Sequence, residues 1–281
     1  MILAPLRGVT IRTFRCVFAE VLREAGFTEA VTPFIPANAG VDPLSDRELK
    51  GGVEANGLRV TPQFIGKDPA ALRACLLRVK DAGYETADLN AGCPFPMIRR
   101  KGRGSGLLHT PDVLFRLLEV GCETMGPGRF SLKTRLGVER PDELLALMPR
   151  LNDFPLRFLT VHARTARQMY EGACDREAAA AVERTARMPV VRNGDVPFPP
   201  PDAPGTVMVG RAFVRALGER SDCGELLRRY VAASAAELSG ERPVLGRMKE
   251  LVAYFRELPA WRRRWPLVKI AAHVDELVSL F

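Results

Sequence analysis

Eight short apolar runs, each ending in small or polar residues, recur through the chain and constrain its fold more than any other feature. They are Ile2–Ala4, Glu29–Thr32, Arg59–Phe64, Thr86–Asn90, Phe130–Arg135, Phe158–His162, Pro189–Asn193 and Thr206–Gly210. Helix-like segments lie between most of them, among them Ile11–Ala25, Pro69–Ala82 and Pro111–Gly121. In the last two, Asp68-Pro69 and Thr110-Pro111 read as an N-cap followed by proline at the first helical position. Strands that alternate with helices pair in parallel, which places the chain in the α/β class. A closed (β/α)8 TIM barrel is the expected architecture, and a doubly wound open sheet is the arrangement that periodicity alone does not separate from it.

One crossover departs from the pattern. The stretch Val196-Pro197-Phe198-Pro199-Pro200-Pro201-Asp202-Ala203-Pro204-Gly205 carries five prolines and forms no regular helix. A proline-rich strap is therefore expected in place of the seventh barrel helix. After Arg211 the strand signals stop. Glu225–Leu238, Pro243–Arg256 and Ile270–Leu280 show the three- and four-residue apolar spacing of amphipathic helices. The expected division is a barrel over residues 1–221 and a small all-helical domain over 222–281. With 281 residues and 47% hydrophobic content the chain buries a full core without staples, which excludes disordered and fibrous classes. The six cysteines are scattered, and none forms the Cys-x-x-Cys pair of a zinc or redox site. Reduced thiols and no metal are expected. The opening residues lack the basic and long apolar regions of a signal peptide, and no apolar run approaches ~18 residues. These features read as a soluble cytoplasmic protein with no membrane segment and no evident obligate protein partner. A formal net charge of +8 favours a polyanionic partner such as nucleic acid.

The strand ends carry the chemistry. Asp88-Leu89-Asn90-Ala91-Gly92-Cys93-Pro94 runs from a strand into a loop on what would be the catalytic face of a barrel. Cys93 there is a candidate nucleophile, metal ligand or acid, with an inert packed thiol as the plain alternative. Lys133 and Arg135, two apart on the fifth strand, project on one face. His162 ends the sixth strand and is followed by Arg164, Gln168 and Tyr170. Asn193-Gly194-Asp195 after the seventh strand and Gly210-Arg211 after the eighth put glycine-freed amides where barrels commonly hold a phosphate, although either tract also suits a simple turn or helix start. A phosphate cradle, a lysine and histidine able to stabilise negative charge on a ring, and a separate proton-bearing thiol together suit flavin mononucleotide, FMN.

Together these motifs resemble the tRNA-dihydrouridine synthases, in a short bacterial form. The likeness runs nearly end to end. It includes Ala4-Pro5-Leu6-Arg7-Gly8-Val9-Thr10, Thr61-Pro62-Gln63-Phe64-Ile65-Gly66, and Asp88 to Pro94 followed by Lys101-Gly102-Arg103-Gly104-Ser105-Gly106-Leu107-Leu108. Ser131 to Gly137, Thr160 to Thr165 with Gln168 and Tyr170, Asn193-Gly194-Asp195 and Val207 to Arg211 complete it. The resemblance implies a flavin enzyme that reduces the C5–C6 double bond of uridines in tRNA. FMN contacts would come from Pro5, Leu6, Arg7 and Gln63 on one side. Lys133, His162, Asn193, Gly194, Asp195, Gly210 and Arg211 would supply the rest. Reduced flavin would deliver hydride to uracil C6, Cys93 would protonate C5 as general acid, and NADPH or NADH would re-reduce the flavin. Asn90, Arg135 and Tyr170 would hold the flipped uracil.

The sequence departs from the family pattern in the proline strap, in a shorter C-terminal region, and in Leu6 and Ala163 where methionine and glycine are more usual. The basic loop Arg99-Arg100-Lys101-Gly102-Arg103 and the tail segment Trp261-Arg262-Arg263-Arg264-Trp265 are candidate RNA phosphate contacts. Two other readings share these residues. One is an FMN barrel oxidoreductase of a small pyrimidine, akin to dihydropyrimidine or dihydroorotate dehydrogenase; the other is a non-catalytic tRNA-binding relative.

Overall fold

A computed structural model describes residues 1–201 and 205–281. Ten parallel strands form its centre. They are β1 (Ile2–Leu3), β2 (Glu29–Val31), β3 (Ile35–Pro36), β4 (Arg59–Thr61), β5 (Gln63–Ile65), β6 (Ala87–Ala91), β7 (Phe130–Gly137), β8 (Leu159–Thr165), β9 (Val190–Asn193) and β10 (Met208–Val209). Hydrogen bonding orders them as β10-β1-β2-β4 and β3-β5-β6-β7-β8-β9. The two sets are one ring. β4 and β5 are a single stave interrupted at Pro62, which has no N–H to give the ladder; the Gln63 N–H turns instead to Thr32 Oγ1 at 3.0 Å. At the other seam, Arg192 bridges Val207, and Asn193 Nδ2 donates to Met208 O at 2.9 Å. The expected (β/α)8 barrel is thus present and the open sheet is not.

Both faces of a parallel barrel are covered, so its strands need little alternation. Every residue of β6 and β8 is buried. The helix Pro69–Asp81 starts as expected, with Asp68 Oδ1 accepting from Ala70 N at 2.9 Å. Thr110 differs: it precedes Pro111–Met125 but makes no side-chain cap, and proline at the first helical position carries that start. The expected helix Ile11–Ala25 is two helices, Arg12–Val17 and Ala19–Glu24. They part at Phe18, whose ring is buried against Phe14 and Tyr230.

No helix joins β9 to β10 among the described residues. Phe198 of the strap stacks on Phe27 and meets Phe213 edge-on, taking up core surface that a helix would otherwise cover. Asp202–Pro204 of the expected strap lie outside the described residues.

Beyond the helix Arg211–Leu217 come Cys223–Glu237, Glu241–Val252, Pro259–Arg262, Trp265–Ile270 and Val274–Val278. The single helix expected over Ile270–Leu280 is therefore a correction. The chain turns extended at Ala271, and Glu276 accepts the Ala272 N–H while Glu241 accepts that of Val274, so a new helix starts. These helices share a hydrophobic core with the start of the barrel, where Leu3, Phe14 and Phe18 meet Tyr230, Met248 and Trp261.

The N-terminal end of the bore is closed by a polar plug. Arg157, entering β8, makes two 2.6 Å hydrogen bonds to the carboxylate of Glu29 on β2. Glu29 Oε1 also accepts from Thr61 Oγ1 at 2.8 Å. β2 and β8 lie on opposite sides of the ring, so this bidentate pair crosses the bore.

Within the shared core the Tyr230 hydroxyl is buried without a hydrogen-bond partner among the described residues. An unpaired buried hydroxyl costs about 1–3 kcal/mol. Tyr230→Phe should leave thermal stability unchanged or raise it by about 1 kcal/mol; a loss larger than that in a denaturant titration would reveal a partner for the hydroxyl.

Candidate active site

The C-terminal ends of the strands open into a cleft of about 910 Å³, near the top of the usual range for ligand pockets, about 300–1,000 Å³. β6 supplies its centre. Asp88 and Asn90, two apart, share a face of the strand, and Asp88 is wholly buried. The Asp88 carboxylate accepts from Gln63 Nε2 at 2.7 Å and Ser131 Oγ at 2.6 Å. Since an ionised carboxylate only accepts, Gln63 must turn its amide nitrogen towards it. Gln63 Oε1 then takes Asn90 Nδ2 at 2.7 Å, and Asn90 Oδ1 accepts the N–H groups of Gly92 and Cys93 at 3.1 and 2.9 Å. One carboxylate thereby orients two amides and pins the turn that carries the thiol. Burial raises Asp88 to about 6, against the opposing pull of Ser131, Gln63 and Lys133.

Cys93 is fixed from its other side too. Its carbonyl accepts from Ser105 N and Ser105 Oγ at 3.1 and 2.9 Å. Gly104, at φ +57°, leaves no room for a side chain there: a Cβ would lie 2.8 Å from that of Cys93. Burial pushes the Cys93 thiol above its ordinary range. The Phe95 N–H and the charges of Arg135, Arg7 and Lys133 pull it down without cancelling that effect. At neutral pH the sulfur carries its proton.

A cationic wall faces the thiol. Lys133 Nζ donates to Asn193 Oδ1 at 3.1 Å and has no carboxylate within salt-bridge distance among the described residues. Burial, then Arg135, lowers Lys133 to about 8. Arg135 is locked by Gly92 O and Thr165 O at 2.9 and 2.8 Å, and burial lowers it to about 10. The Arg164 guanidinium, which can only donate, lies 3.3 Å from His162 Nε2, so His162 accepts there and carries its proton on Nδ1. Burial and the neighbouring cations, Lys133 foremost, hold His162 neutral.

At the rim, Arg211 donates to Asp195 Oδ1 at 2.6 Å, and Arg164 is bonded to Asp195 Oδ2. The Arg164 hydrogen bond is the first cause of the lowered Asp195 carboxyl. Gly194, at φ +97°, is a position where a Cβ would meet Cys174 Sγ at 2.9 Å and His162 Cδ2 at 3.0 Å. Tyr170 lies under the guanidinium groups of both Arg135 and Arg211, at 5.3 and 5.4 Å.

Pro5, Leu6, Arg7, Gln63, Lys133 and His162 all line this cleft. So do Asn193, Gly194, Asp195, Gly210 and Arg211, together with Cys93, Asn90, Arg135 and Tyr170. Arg99, Arg100, Lys101 and Arg103 do not line it; they sit beyond the cysteine turn, with Arg103 bonded to Asn38. The tail segment needs a correction. Trp261 belongs to the core, its indole N–H donating to Gly218 O at 2.9 Å, and only the three arginines between the tryptophans are exposed. Sequence reasoning missed Ser131 and the structural role of Asp88, although Asp88 stands two residues from Asn90 on the same strand face. It also missed Phe34, which packs under Arg7, and Tyr254, which reaches the cleft from the C-terminal helices. No local signal marks either one.

A family model described as dihydrouridine synthase (Dus) matches residues 2–203. A probable tRNA-dihydrouridine synthase of Rhodobacter capsulatus is 32% identical over 202 residues, covering 70% of this chain and 60% of the relative. The tRNA-dihydrouridine(16) synthase of Ralstonia nicotianae is 30% identical, covering 70% and 61%. The tRNA-dihydrouridine synthase B of Escherichia coli is 30% identical, covering 81% and 74%. The chain thus spans about three-fifths of the length of the first two. Among solved structures, the old yellow enzyme homologue from Zymomonas mobilis has a TM-score of 0.56 at 12% identity, covering 76% of this chain and 85% of that one. Morphinone reductase in complex with tetrahydroNAD has a TM-score of 0.54 at 12% identity, covering 76% and 83%. At that identity the likeness is one of fold.

The raised thiol is open to measurement. The rate of Cys93 alkylation by iodoacetamide, followed by mass spectrometry, should still be climbing at about pH 9, where an unperturbed thiol of pKa ~8.5 is already levelling off. A plateau at lower pH would mean that the cationic wall outweighs burial.

Proposed function

Because this chain belongs to the dihydrouridine synthase family, we propose that it reduces uridines of tRNA to 5,6-dihydrouridine, with FMN as its resident cofactor. The observation that carries the reading is a protonated, buried thiol facing a cationic wall across a single cleft.

The donor set fits FMN. Lys133 is half-buried at the cleft wall, positive and without a carboxylate within salt-bridge distance among the described residues. That arrangement suits the electron-rich edge of a flavin ring better than an empty space. The neutral His162 presents an Nδ1–H, and Gly194 and Gly210 leave backbone bare where a Cβ would crowd Cys174 or Ala4. Pro5, Leu6, Arg7 and Gln63 would hold the ring from one side, Lys133, His162 and Asn193 from the other. Gly194, Asp195, Gly210 and Arg211 would hold the phosphate end. Bound there, the group supplies the hydride that uracil C6 accepts, renewed from NADPH or NADH.

The chain's own residues do the rest. Cys93 Sγ holds a proton at neutral pH and gives it to uracil C5. The Asp88–Gln63–Asn90 relay keeps that sulfur in place. Asn90, Arg135 and Tyr170 orient the base, with Arg135 held rigid by its two carbonyl partners. The base reaches the sulfur only after leaving its stack. Arg99, Arg100, Lys101 and Arg103 on one flank, and the helical segment 222–281 with exposed Arg262, Arg263 and Arg264, take the phosphates of the tRNA. No helix among the described residues is long and apolar enough to cross a membrane, and a tRNA substrate puts the enzyme at work in the cytoplasm.

Freshly purified protein should show a flavin spectrum that bleaches on anaerobic addition of NADPH; a colourless protein that also fails to take up added FMN would remove the cofactor from the proposal. Cys93→Ala should lower dihydrouridine formation by about 10²- to 10⁴-fold while tRNA affinity stays within about twofold. Undiminished product from that variant, measured by nucleoside mass spectrometry, would sink the acid role.

A further inference from the structure

Two residues past the catalytic thiol the chain exposes apolar side chains that no part of the fold uses. Phe95 is 44% exposed and Met97 73%. Among the described residues, the large exposed aromatics are Phe95 and Tyr170, and both line the same cleft. Exposed aliphatic residues elsewhere are ordinary for a protein surface; a half-exposed aromatic ring lining the cleft, with an exposed methionine two residues on, is not.

The turn that carries them is stiff. Pro94 and Pro96 flank Phe95, and the Phe95 carbonyl accepts from Ile98 N and Arg99 N at 2.9 and 3.0 Å. The base of the loop is tied to Cys93 through Ser105. Phe95 and Met97 are therefore held out to solvent by a braced backbone. Arg99, Arg100 and Lys101 follow at once, and none makes an ion pair among the described residues. An apolar tip with unpaired cations behind it is complementary to a stacked base whose phosphate lies on the same side.

We propose that Phe95 and Met97 form a stacking platform for the nucleotide next to the flipped uridine, filling the gap in the base stack that the uridine leaves. The inference rests on RNA being the substrate. Extrusion of a base exposes the faces of its neighbours to water, and an aromatic ring that covers one of them offsets that loss. Phe95, which lines the cleft two residues past the thiol, is the face; Met97, unbranched and polarisable, adapts to whichever base lies beyond it. Arg99, Arg100 and Lys101 hold the backbone of that neighbour. This makes the platform a determinant of substrate affinity that tolerates any base identity, since every base has a π face.

Binding of fluorescently labelled tRNA to the whole protein, read by anisotropy, tests the platform separately from the chemistry. Phe95→Ala should weaken binding by about 5- to 150-fold, the effect of losing one base–aromatic stack. Phe95→Trp should restore it to within about threefold of the wild type, and Met97→Ser should give a smaller loss than Phe95→Ala. In turnover, the Phe95→Ala loss should fall on KM more than on kcat. A dissociation constant for Phe95→Ala within twofold of the wild type overturns the platform, whether or not dihydrouridine is formed, and so does failure of both Phe95→Trp and Phe95→Tyr to restore binding. If Phe95→Ala weakens binding while the wild type makes no dihydrouridine, the platform stands and the proposed reaction fails.

Discussion

A carboxylate inside a barrel persists only where neighbours donate to it, and the Asp88 carboxylate organises this protein on that condition. Its two donors come from the strands on either side, Gln63 from β5 and Ser131 from β7. Each donor has one orientation that satisfies it, so the demand propagates through Asn90 to the backbone of the cysteine turn. The sulfur is placed by this chain of obligations rather than by direct contact with any one residue. The same carboxylate supports the charge of Lys133 against burial. A buried negative charge beneath the cleft thus supports positive charge at its wall, and that wall suits an electron-rich ligand.

Much of this was legible in the sequence. Strand ends announced themselves because each apolar run stops at residues that a packed interior does not take freely: Asn90, Arg135, His162, Asn193. Since barrels gather the C-terminal ends of their strands on one face, those residues had to meet. Pro62 was visible as a letter, but its splitting of one stave into two depends on Thr32 across the ladder offering a hydroxyl oxygen that accepts the next N–H, that of Gln63. The break at Ala271 was hidden in the same way. Glu276, a few residues on, takes the Ala272 N–H, but the second anchor is remote: Glu241, far back in the chain, takes the Val274 N–H. Trp261 shows the opposite error, where neighbouring arginines lent an RNA-facing look to a side chain whose indole donates into the core.

The C-terminal helices do more than cover the barrel. Tyr230 and Met248 complete the core around Phe14 and Phe18, and Tyr254 reaches the cleft itself. Glu250 occupies the space beside Gly8, where any Cβ would come within 2.4 Å of its carboxylate. The Pro5–Thr10 loop, braced from within by Thr10 Oγ1 on the Leu6 N–H and the Ala4 carbonyl, is thereby held from outside as well. Changes in the helical segment will be felt in the cleft through these contacts.

The plug of Arg157 and Glu29 at the far end of the bore has a kinetic meaning. With that end filled by side chains, ligands reach the strand ends from the cleft side, and under the proposed function a nicotinamide and a folded polynucleotide would share that one doorway. The two half-reactions of the proposed function would then alternate, each visitor leaving before the next arrives, in the manner of an airlock.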